Sequence, residues 1–371
     1  MISSEYSKEM VLGIFCHKAE LDGMRKGIPA KLLIDDQTLL FANSTIAGFK
    51  DAVLSQALPE KTIYIIQECI RANNLKTYSD PSEELKYMSV FSQLGLLGDE
   101  NSLVSMLDFI KTFFFDGLMV PESAFRIRTS SSIKWNRLIE NEFSSACFEL
   151  NSRDESYYNW SYGVAGLSGV GATIAIYNDI NDEFQDIGNI IQLNLNKETV
   201  GFEFGFGLET LLARLNYFDS PFEYTISEMG GDHSLIPNNR KLLDSLMVSV
   251  YLLHLGVCEG RSKRSSVLRG ALNSLMYQCI INAVSLNSIL NITKRYLSTR
   301  ELQNLHNTDF VSGLSRAYDR VYEKYKKLVD YIRYSKRHNK SSDSIFKYGT
   351  KKLALPVWFI TESISRQDLS L

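Results

Sequence analysis

Residues Val200–Phe218 have the sequence VGFEFGFGLETLLARLNYF, in which the pattern changes from that of a strand to that of a helix. Its first half alternates glycine and apolar residues at a period of two, which predicts a strand approached closely by a ligand or by another backbone. Its second half, Leu208–Leu215, changes to helical spacing and predicts a helix that buries a leucine face. Gly205 and Gly207 lie where the strand meets the helix, and Glu203 lies two residues before the first of them.

The combination of a carboxylate with glycines at a strand–helix junction admits two interpretations. A strand surface without side chains, next to Glu203, suits a small polar ligand that carries an amine. Glycine in a strand is also typical of a β-bulge or of close packing without any ligand. These residues alone leave both interpretations open.

The composition excludes several classes of protein. The chain has 371 residues, of which 44% are hydrophobic and 22% charged, as in an ordinary globular protein with two or more domains. A net charge of -3 argues against a chain that binds nucleic acid through overall basic charge. The five cysteines are far apart and have no metal-ligand spacing, which predicts reduced thiols and no metal site. Without a signal peptide or a long apolar window, we expect a soluble cytoplasmic protein that does not bind membranes.

Before residue 222 the pattern is mixed. Predicted helices cover residues 9–18, 103–115 and 134–143, and predicted strands cover residues 63–70, 125–129 and 173–177. Within residues 34–43, turn-forming polar residues precede a further short apolar strand. In Phe125–Thr129 the alternation predicts an edge strand with Arg126 and Arg128 on one face. We therefore expect a mixed antiparallel α+β domain over residues 1–222.

After residue 222 the pattern becomes mainly helical. Predicted helices cover residues 240–257, 267–292 and 313–336, and they imply a helical domain over 223–344 before a C-terminal tail over 345–371. The helix over 313–336 has one apolar stripe, and its other faces carry more basic than acidic residues. Such a face is usual on a solvated helix and also suits contact with phosphate groups, so both interpretations remain open.

Seven segments of the chain form an ordered set of motifs: DQTLLFAN (36–43) with GFKD (48–51), QECIR (67–71), FSQLG (91–95) with GD (98–99), NWSYG (159–163) with Gly166 and Gly169, IGNI (187–190), FEFGFGLE (202–209) and GRSKRSSVLRG (260–270). In this order they resemble the N-terminal part of alanyl-tRNA synthetase. The first is the most specific, because it is similar to the family's D-P-T-L-L-F-T-N-A-G-M-x-x-F-K-D. The sixth resembles V-D-T-G-M-G-L-E, the third motif of class II synthetases. Beyond Gly270 we find no matching motif.

The resemblance implies an α+β, class II synthetase-like fold, with an antiparallel sheet flanked by helices and followed by a mainly helical domain like the family's tRNA-recognition region. It also implies aminoacyl-adenylate formation, in which a carboxylate oxygen of the amino acid attacks the α-phosphorus of ATP and pyrophosphate leaves. The cofactors implied are ATP and Mg²⁺, and the assembly implied is a homodimer. We expect a paralogue without the family's editing and C-terminal domains, because the 371 residues end before them.

The resemblance also assigns site residues. Arg71 matches the catalytic arginine that contacts the α-phosphate, where a planar and permanently charged fork is well suited. Glu203 matches an aspartate that pairs with the α-ammonium of the amino acid. The full amino-acid site would comprise Trp160, Asn189, Glu203 and Gly205, and the full ATP site Arg71, Phe91, Gly207 and Glu209.

Several of the expected site positions depart from the family pattern. Thr210 replaces the arginine that holds the γ-phosphate, Ser92 replaces a glutamate of the second class II motif, and Glu68 reverses the charge of an arginine. In the pocket loop, Val164 replaces an aspartate. Loss of an arginine–phosphate contact costs about 1.5–3 kcal/mol, so ATP binding is expected to weaken unless another basic residue replaces it.

Three arginines are candidates for that replacement, namely Arg126, Arg128 and Arg214. Glu203 is one methylene longer than the family's aspartate, so the pocket should be smaller or the ammonium displaced, and the amino acid need not be alanine.

Three functions follow from the resemblance. The first is a ligase that activates a small amino acid and transfers it to an acceptor other than a whole tRNA, such as a carrier protein, a metabolite or a peptide. The second is an aminoacyl transferase that takes the amino acid from an aminoacyl-tRNA without ATP. The third is a catalytically silent paralogue with a regulatory role. An α+β protein unrelated to synthetases is the remaining alternative.

Overall fold

A computed structural model describes residues 6–34, 39–78, 80, 83–162, 164–230, 240–300 and 307–369. The chain divides into two compact units. The first consists of Met1–Ile70 and Phe91–Tyr224, and the second of Arg71–Val90 and Thr225–Leu371. Residues 36–38 and residue 163, which belong to the first and fourth family-like segments, lie outside the described residues.

The first unit is built on a mixed β-sheet. Among the described residues it has nine strands: β1 Arg25–Lys26, β2 Ile63–Ile70, β3 Val90–Gly98, β4 Phe125–Thr129, β5 Phe148–Leu150, β6 Asn159–Ser161, β7 Leu167–Asn178, β8 Glu183–Leu195 and β9 Glu198–Gly207. The strand order is β1-β2-β3-β9-β8-β7-β4-β5, with β6 paired to β7. The central strands β3, β9, β8, β7 and β4 pair antiparallel, whereas β1–β2 and β4–β5 pair parallel.

Most helices of the first unit pack against one face of this sheet, whereas the helix Lys50–Leu54 contributes Val53 to a second apolar cluster with Ile191 and Leu193. The helices of the first unit are α1 Lys8–Leu21, α2 Lys50–Leu54, α4 Leu103–Lys111, α5 Asn136–Glu142 and α6 Leu208–Leu215; α3 Asn74–Thr77 falls in the second unit, and the chain passes between the units within α7 Pro221–Glu228. The main core contains the rings of Phe15, Phe109, Phe113 and Phe206, in which the centroids of contacting rings lie 5.4–5.9 Å apart. Apolar side chains of β9 alternate onto this face because a strand has a period of two.

The structure confirms the strand followed by a helix that is predicted within Val200–Phe218. Strand β9 ends at Gly207 and helix α6 begins at Leu208, where the sequence period changes from strand to helix. The prediction that Phe125–Thr129 is an edge strand is wrong, because β4 lies between β7 and β5. The edge is instead β5, a three-residue strand too short to carry a recognisable pattern.

The second unit is helical. Its remaining helices are α8 Arg240–His254, α9 Lys263–Ile281, α10 Leu286–Thr299, α11 Asn307–Arg337, α12 Ser342–Lys347 and α13 Val357–Leu369. The single helix predicted over residues 267–292 is two helices, because Ala283 adopts φ 53° and the side chain of Ser285 caps the start of α10. In the region expected as a tail, Phe359 is buried against Tyr277 and Tyr325.

The expected fold class is confirmed: an antiparallel α+β sheet flanked by helices is followed by a mainly helical part. No helix in the described part of the chain is long and apolar enough to cross a lipid bilayer.

Candidate functional site

The predicted amino-acid site lies on the sheet face opposite the phenylalanine core. Residues directly opposite each other in an antiparallel pair project to the same face. Gly205 is opposite both Asn189 of β8 and Gly95 of β3, and Gly207 is opposite Gln93. Glu203, two residues before Gly205, therefore shares this face with them.

Trp160 lies on the same face. It pairs with Gly169 of β7, which pairs with Leu193 of β8, which in turn pairs with Gly201 of β9. Because Gly201 is two residues before Glu203, this register places Trp160 on the same face of the sheet as the carboxylate of Glu203. The structure thus brings all five predicted residues of β6, β8 and β9 onto one face: Trp160, Asn189, Glu203, Gly205 and Gly207.

Two hydroxyl groups hold the carboxylate of Glu203, which is only 3% exposed. The Thr45 hydroxyl donates to Oε1 at 2.6 Å, and the Tyr162 hydroxyl donates to Oε2 at 3.3 Å. Since each oxygen has its own donor, the plane of the carboxylate is fixed. Burial first, and then the charge of Glu203, raises the pKa of Tyr162 well above its usual value, so Tyr162 remains a protonated donor.

Leu97 and Ile191, directly opposite Glu203 on the neighbouring strands, are apolar, whereas toward Gly205 the surface is polar rather than bare. A Cβ atom on Gly205 would lie 2.5 Å from Nε2 of Gln93, and a Cβ atom on Gly95 would lie 2.8 Å from Cγ2 of Thr45. The backbone N–H of Thr45 donates to Oε1 of Gln93 at 3.2 Å. The glycines thus make room for Gln93 and Thr45, and a ligand at Gly205 would meet a carboxamide.

Asn189 is oriented by its neighbour on β7. The hydroxyl of Thr173 donates to Oδ1 of Asn189 at 3.1 Å. This bond uses the carbonyl end of the carboxamide, so the NH₂ end is the one that can donate to a ligand.

Of the residues assigned to ATP, Phe91, Gly207 and Glu209 belong to the first unit and Arg71 to the second. A Cβ atom on Gly207 would lie 4.0 Å from the ring of Phe91, which places these two together. Glu209, in the first turn of α6, is buried and accepts a 2.9 Å hydrogen bond from the backbone N–H of Ser92. Arg71 follows β2 directly, belongs to the second unit, and has an exposed side chain.

Ser92 also connects Glu209 to the position where the family resemblance expects an arginine. Its hydroxyl lies 2.5 Å from Oε1 of Glu68 and 3.4 Å from Oε1 of Glu209. Two carboxylates therefore approach a single hydroxyl group. This part of the first unit is more acidic than the resemblance implies.

Each of the three arginines considered as a replacement phosphate ligand has local partners. Arg128 is buried and forms ion pairs of 3.1 Å with Glu149 and with Asp186. Arg214 donates to the carbonyl oxygens of residues 218 and 219, just after α6. Arg126 donates to the carbonyl oxygens of residues 122, 123 and 125, and its guanidinium lies 4.2 Å from the ring centre of Phe184.

Three residues of the site were not identified from the sequence: Thr45, Gln93 and Tyr162. Tyr162 and Gln93 lie inside family-like segments but follow no pattern of their own. Thr45 lies between the segments 36–43 and 48–51, and only its long-range bond to Glu203 reveals its role. Elsewhere in the first unit, an open groove of about 450 Å³ has an apolar lining that includes Pro29, Phe49 and Ile63 and none of the predicted site residues.

Comparisons with known proteins find similarity only among solved structures; no protein-family model and no curated protein sequence matches the chain. A histidyl-tRNA synthetase from S. aureus is 11% identical with a TM-score of 0.39, over 58% of this chain and 68% of the other. PylSc, a pyrrolysyl-tRNA synthetase of Desulfitobacterium hafniense, is 11% identical with a TM-score of 0.36, over 60% of this chain and 74% of the other. At these TM-scores, the function has to be argued from the side chains themselves.

Proposed function

We propose that this protein activates a small amino acid with ATP, as its adenylate, and transfers it to an acceptor other than a whole tRNA. The observation that supports it best is the buried carboxylate of Glu203, held by Thr45 and Tyr162 on the face that also carries Trp160 and Asn189. The acceptors that we propose are a carrier protein, a small metabolite or a peptide. A cytoplasmic location and a homodimer remain part of the proposal.

The chemistry of Glu203 suits an α-ammonium group. A carboxylate accepts about four hydrogen bonds, and an ammonium group offers three donors at charge-assisted strength. Because the site is buried, the attraction between the two charges is stronger than it would be in water. The NH₂ end of Asn189 and the ring of Trp160 would then contact the rest of a small amino acid.

Adenylate formation needs the negative charge of the phosphates to be neutralised while a carboxylate oxygen attacks the α-phosphorus and pyrophosphate leaves. In this proposal the guanidinium of Arg71 binds the α-phosphate through two parallel hydrogen bonds, as a bidentate donor. The carboxylate oxygens of Glu209 are ligands of the kind that Mg²⁺ prefers, and bound Mg²⁺ would neutralise phosphate charge. Phe91 and Gly207 would form the apolar surface for the adenine.

Amino-acid-dependent exchange of labelled pyrophosphate into ATP tests the proposal. We expect exchange with at least one small amino acid, and we expect Arg71→Ala to abolish it because the α-phosphate contact is lost. Arg316→Ala is the matched control, since Arg316 is an exposed arginine of the same unit, on α11. If the unmodified protein shows no exchange with any small amino acid, the ligase proposal is wrong.

One observation favours a second function. The carboxylates of Glu68 and Glu209 both approach the hydroxyl of Ser92, although the resemblance implies an arginine in place of Glu68. Added negative charge opposes ATP binding, and a transferase that takes its amino acid from an aminoacyl-tRNA does not need ATP. Such a protein would bind tRNA with an affinity that falls steeply as salt rises, because phosphate contacts release counterions. The absence of tRNA binding at low salt would exclude this alternative.

A further inference from the structure

We infer that Asp244 of α8 positions Arg71 by holding the segment that links β2 to β3. The inference concerns residues of the second unit alone, and it rests on the proposed function only for what Arg71 binds. The two ends of the segment are joined directly, because the backbone N–H of Arg71 donates to the carbonyl oxygen of Ser89 at 2.8 Å.

Asp244 is fully buried and accepts four hydrogen bonds, all from this segment. Oδ1 accepts from the backbone N–H of Ser89 at 2.7 Å. Oδ2 accepts from the hydroxyl of Ser89 at 2.7 Å, the hydroxyl of Tyr78 at 2.7 Å and the side-chain amide of Asn74 at 2.9 Å. One carboxylate thus holds both the beginning and the end of the segment.

Ser89 is the link between Asp244 and Arg71. Its N–H and hydroxyl bind the carboxylate, while its carbonyl oxygen accepts the N–H of Arg71. A second connection runs through Asn74, whose amide also donates to the carbonyl oxygen of Tyr87 at 2.8 Å. The backbone at Arg71 is therefore fixed from both ends of the segment by a residue 173 positions away in the chain.

The chemistry makes aspartate specific at this position. Burial raises the pKa of Asp244, and the hydrogen bonds from Ser89, Asn74 and Tyr78 oppose that rise by favouring the charged form. A buried carboxylate without such donors is strongly destabilising. An asparagine would place its NH₂ group either against the three donors that Oδ2 accepts from or against the backbone N–H of Ser89, so neither orientation reproduces the arrangement.

The test compares Asp244→Asn with Ser245→Ala. Ser245 is the next residue of α8 and is equally buried. Its hydroxyl donates to the carbonyl oxygen of Leu242 and not to the segment that Asp244 holds. Amide hydrogen exchange at Arg71 and Ser89 is measured together with the affinities for ATP and for the amino acid. In Asp244→Asn we expect exchange at both amides to quicken at least tenfold and ATP affinity to fall about tenfold, as for loss of a hydrogen bond to a charged group. Amino-acid affinity should stay within about twofold, as for a surface change, and Ser245→Ala should change none of the three.

Ser89→Ala is the second variant, in case Asp244→Asn does not fold. It removes the hydroxyl bond to Asp244 and keeps both backbone bonds, so we expect a smaller change in the same direction. Unchanged protection of the Arg71 amide in a folded Asp244→Asn or Ser89→Ala protein would overturn the inference. Faster exchange at Arg71 in a protein that never binds ATP would support the positioning role while overturning the proposed function.

Discussion

The hydroxyl of Thr45 donates a 2.6 Å hydrogen bond to Oε1 of Glu203 across 158 positions of sequence. Thr45 begins a short 3-10 turn, Thr45–Gly48, and Glu203 lies in the middle of β9. The backbone N–H of Thr45 is bonded in turn to Gln93 of β3. This contact fixes the carboxylate on which the proposed amino-acid site depends.

Replacing Thr45 by valine tests whether that bond matters for binding. Valine has the shape of threonine without the hydroxyl, so Thr45→Val should weaken amino-acid binding about fivefold, as for one hydrogen bond of about 1 kcal/mol. Titration calorimetry with the amino acid identified by pyrophosphate exchange measures the effect.

A double-mutant cycle supplies the control for this prediction. If Thr45 acts through Glu203, the substitution should have little further effect in a Glu203→Gln background, because the two changes share one interaction. Full additivity of the two losses would show that Thr45 does not act through the carboxylate.

Glycine at position 95 should be needed for stability. A Cβ atom there would lie 2.7 Å from the backbone carbonyl oxygen of Phe204, which cannot move without distorting the sheet. We expect Gly95→Ala to lower the free energy of unfolding by about 1–3 kcal/mol, as for overpacking. Urea denaturation measures this change.

Two other glycines provide the comparison. A Cβ atom on Gly205 meets the end of the Gln93 side chain, which can rotate away, so Gly205→Ala should cost less than Gly95→Ala. Gly13 of α1 has nothing within 4 Å of a Cβ atom, so Gly13→Ala should stabilise the protein by up to about 1 kcal/mol through helix propensity. Equal losses at positions 95 and 13 would contradict the packing explanation.

At acidic pH the folded first unit should lose stability because Glu149 becomes protonated. Burial alone would raise the pKa of Glu149, but the hydrogen bond and charge of Arg128 lower it below the usual 4.5. Because the folded-state pKa is the lower one, this contribution to stability is present above pH 4.5 and is lost as the pH falls through the lowered value.

The pH dependence of urea unfolding measures this contribution. In Glu149→Gln the free energy of unfolding should depend less steeply on pH below 4.5 than in the unmodified protein. Glu140→Gln, at an exposed position of α5, is the control and should keep the original slope. Identical slopes in all three proteins would contradict the role of the Arg128 contact.

Sequence patterns predicted the features that local chemistry determines. The period of hydrophobicity changes between Gly207 and Leu208, and the strand–helix junction follows it. Likewise the apolar run Ile63–Ile70 is the strand β2, with the same bounds. In these stretches each residue's own preference agrees with the tertiary structure.

Features that depend on distant contacts could not be predicted. Thr45 has no local pattern, and its role arises from a bond to a strand far along the chain. The segment Arg71–Val90 belongs to the helical unit, where Asp244 binds three of its residues. No periodicity in the segment itself indicates that partner.

The proposed function depends above all on the carboxylate of Glu203 binding the α-ammonium of a small amino acid. Calorimetric titration of the small amino acids, each paired with its 2-hydroxy acid, into the unmodified protein and Glu203→Gln tests it most directly; Glu198→Gln, at an exposed position of the same strand, is the control. We predict that one amino acid binds, that its hydroxy acid does not, and that Glu203→Gln weakens the amino acid about ten- to hundredfold while ATP is unaffected. Equal affinity for the amino acid and its hydroxy acid, or equal losses of amino acid and ATP in Glu203→Gln, would contradict the claim.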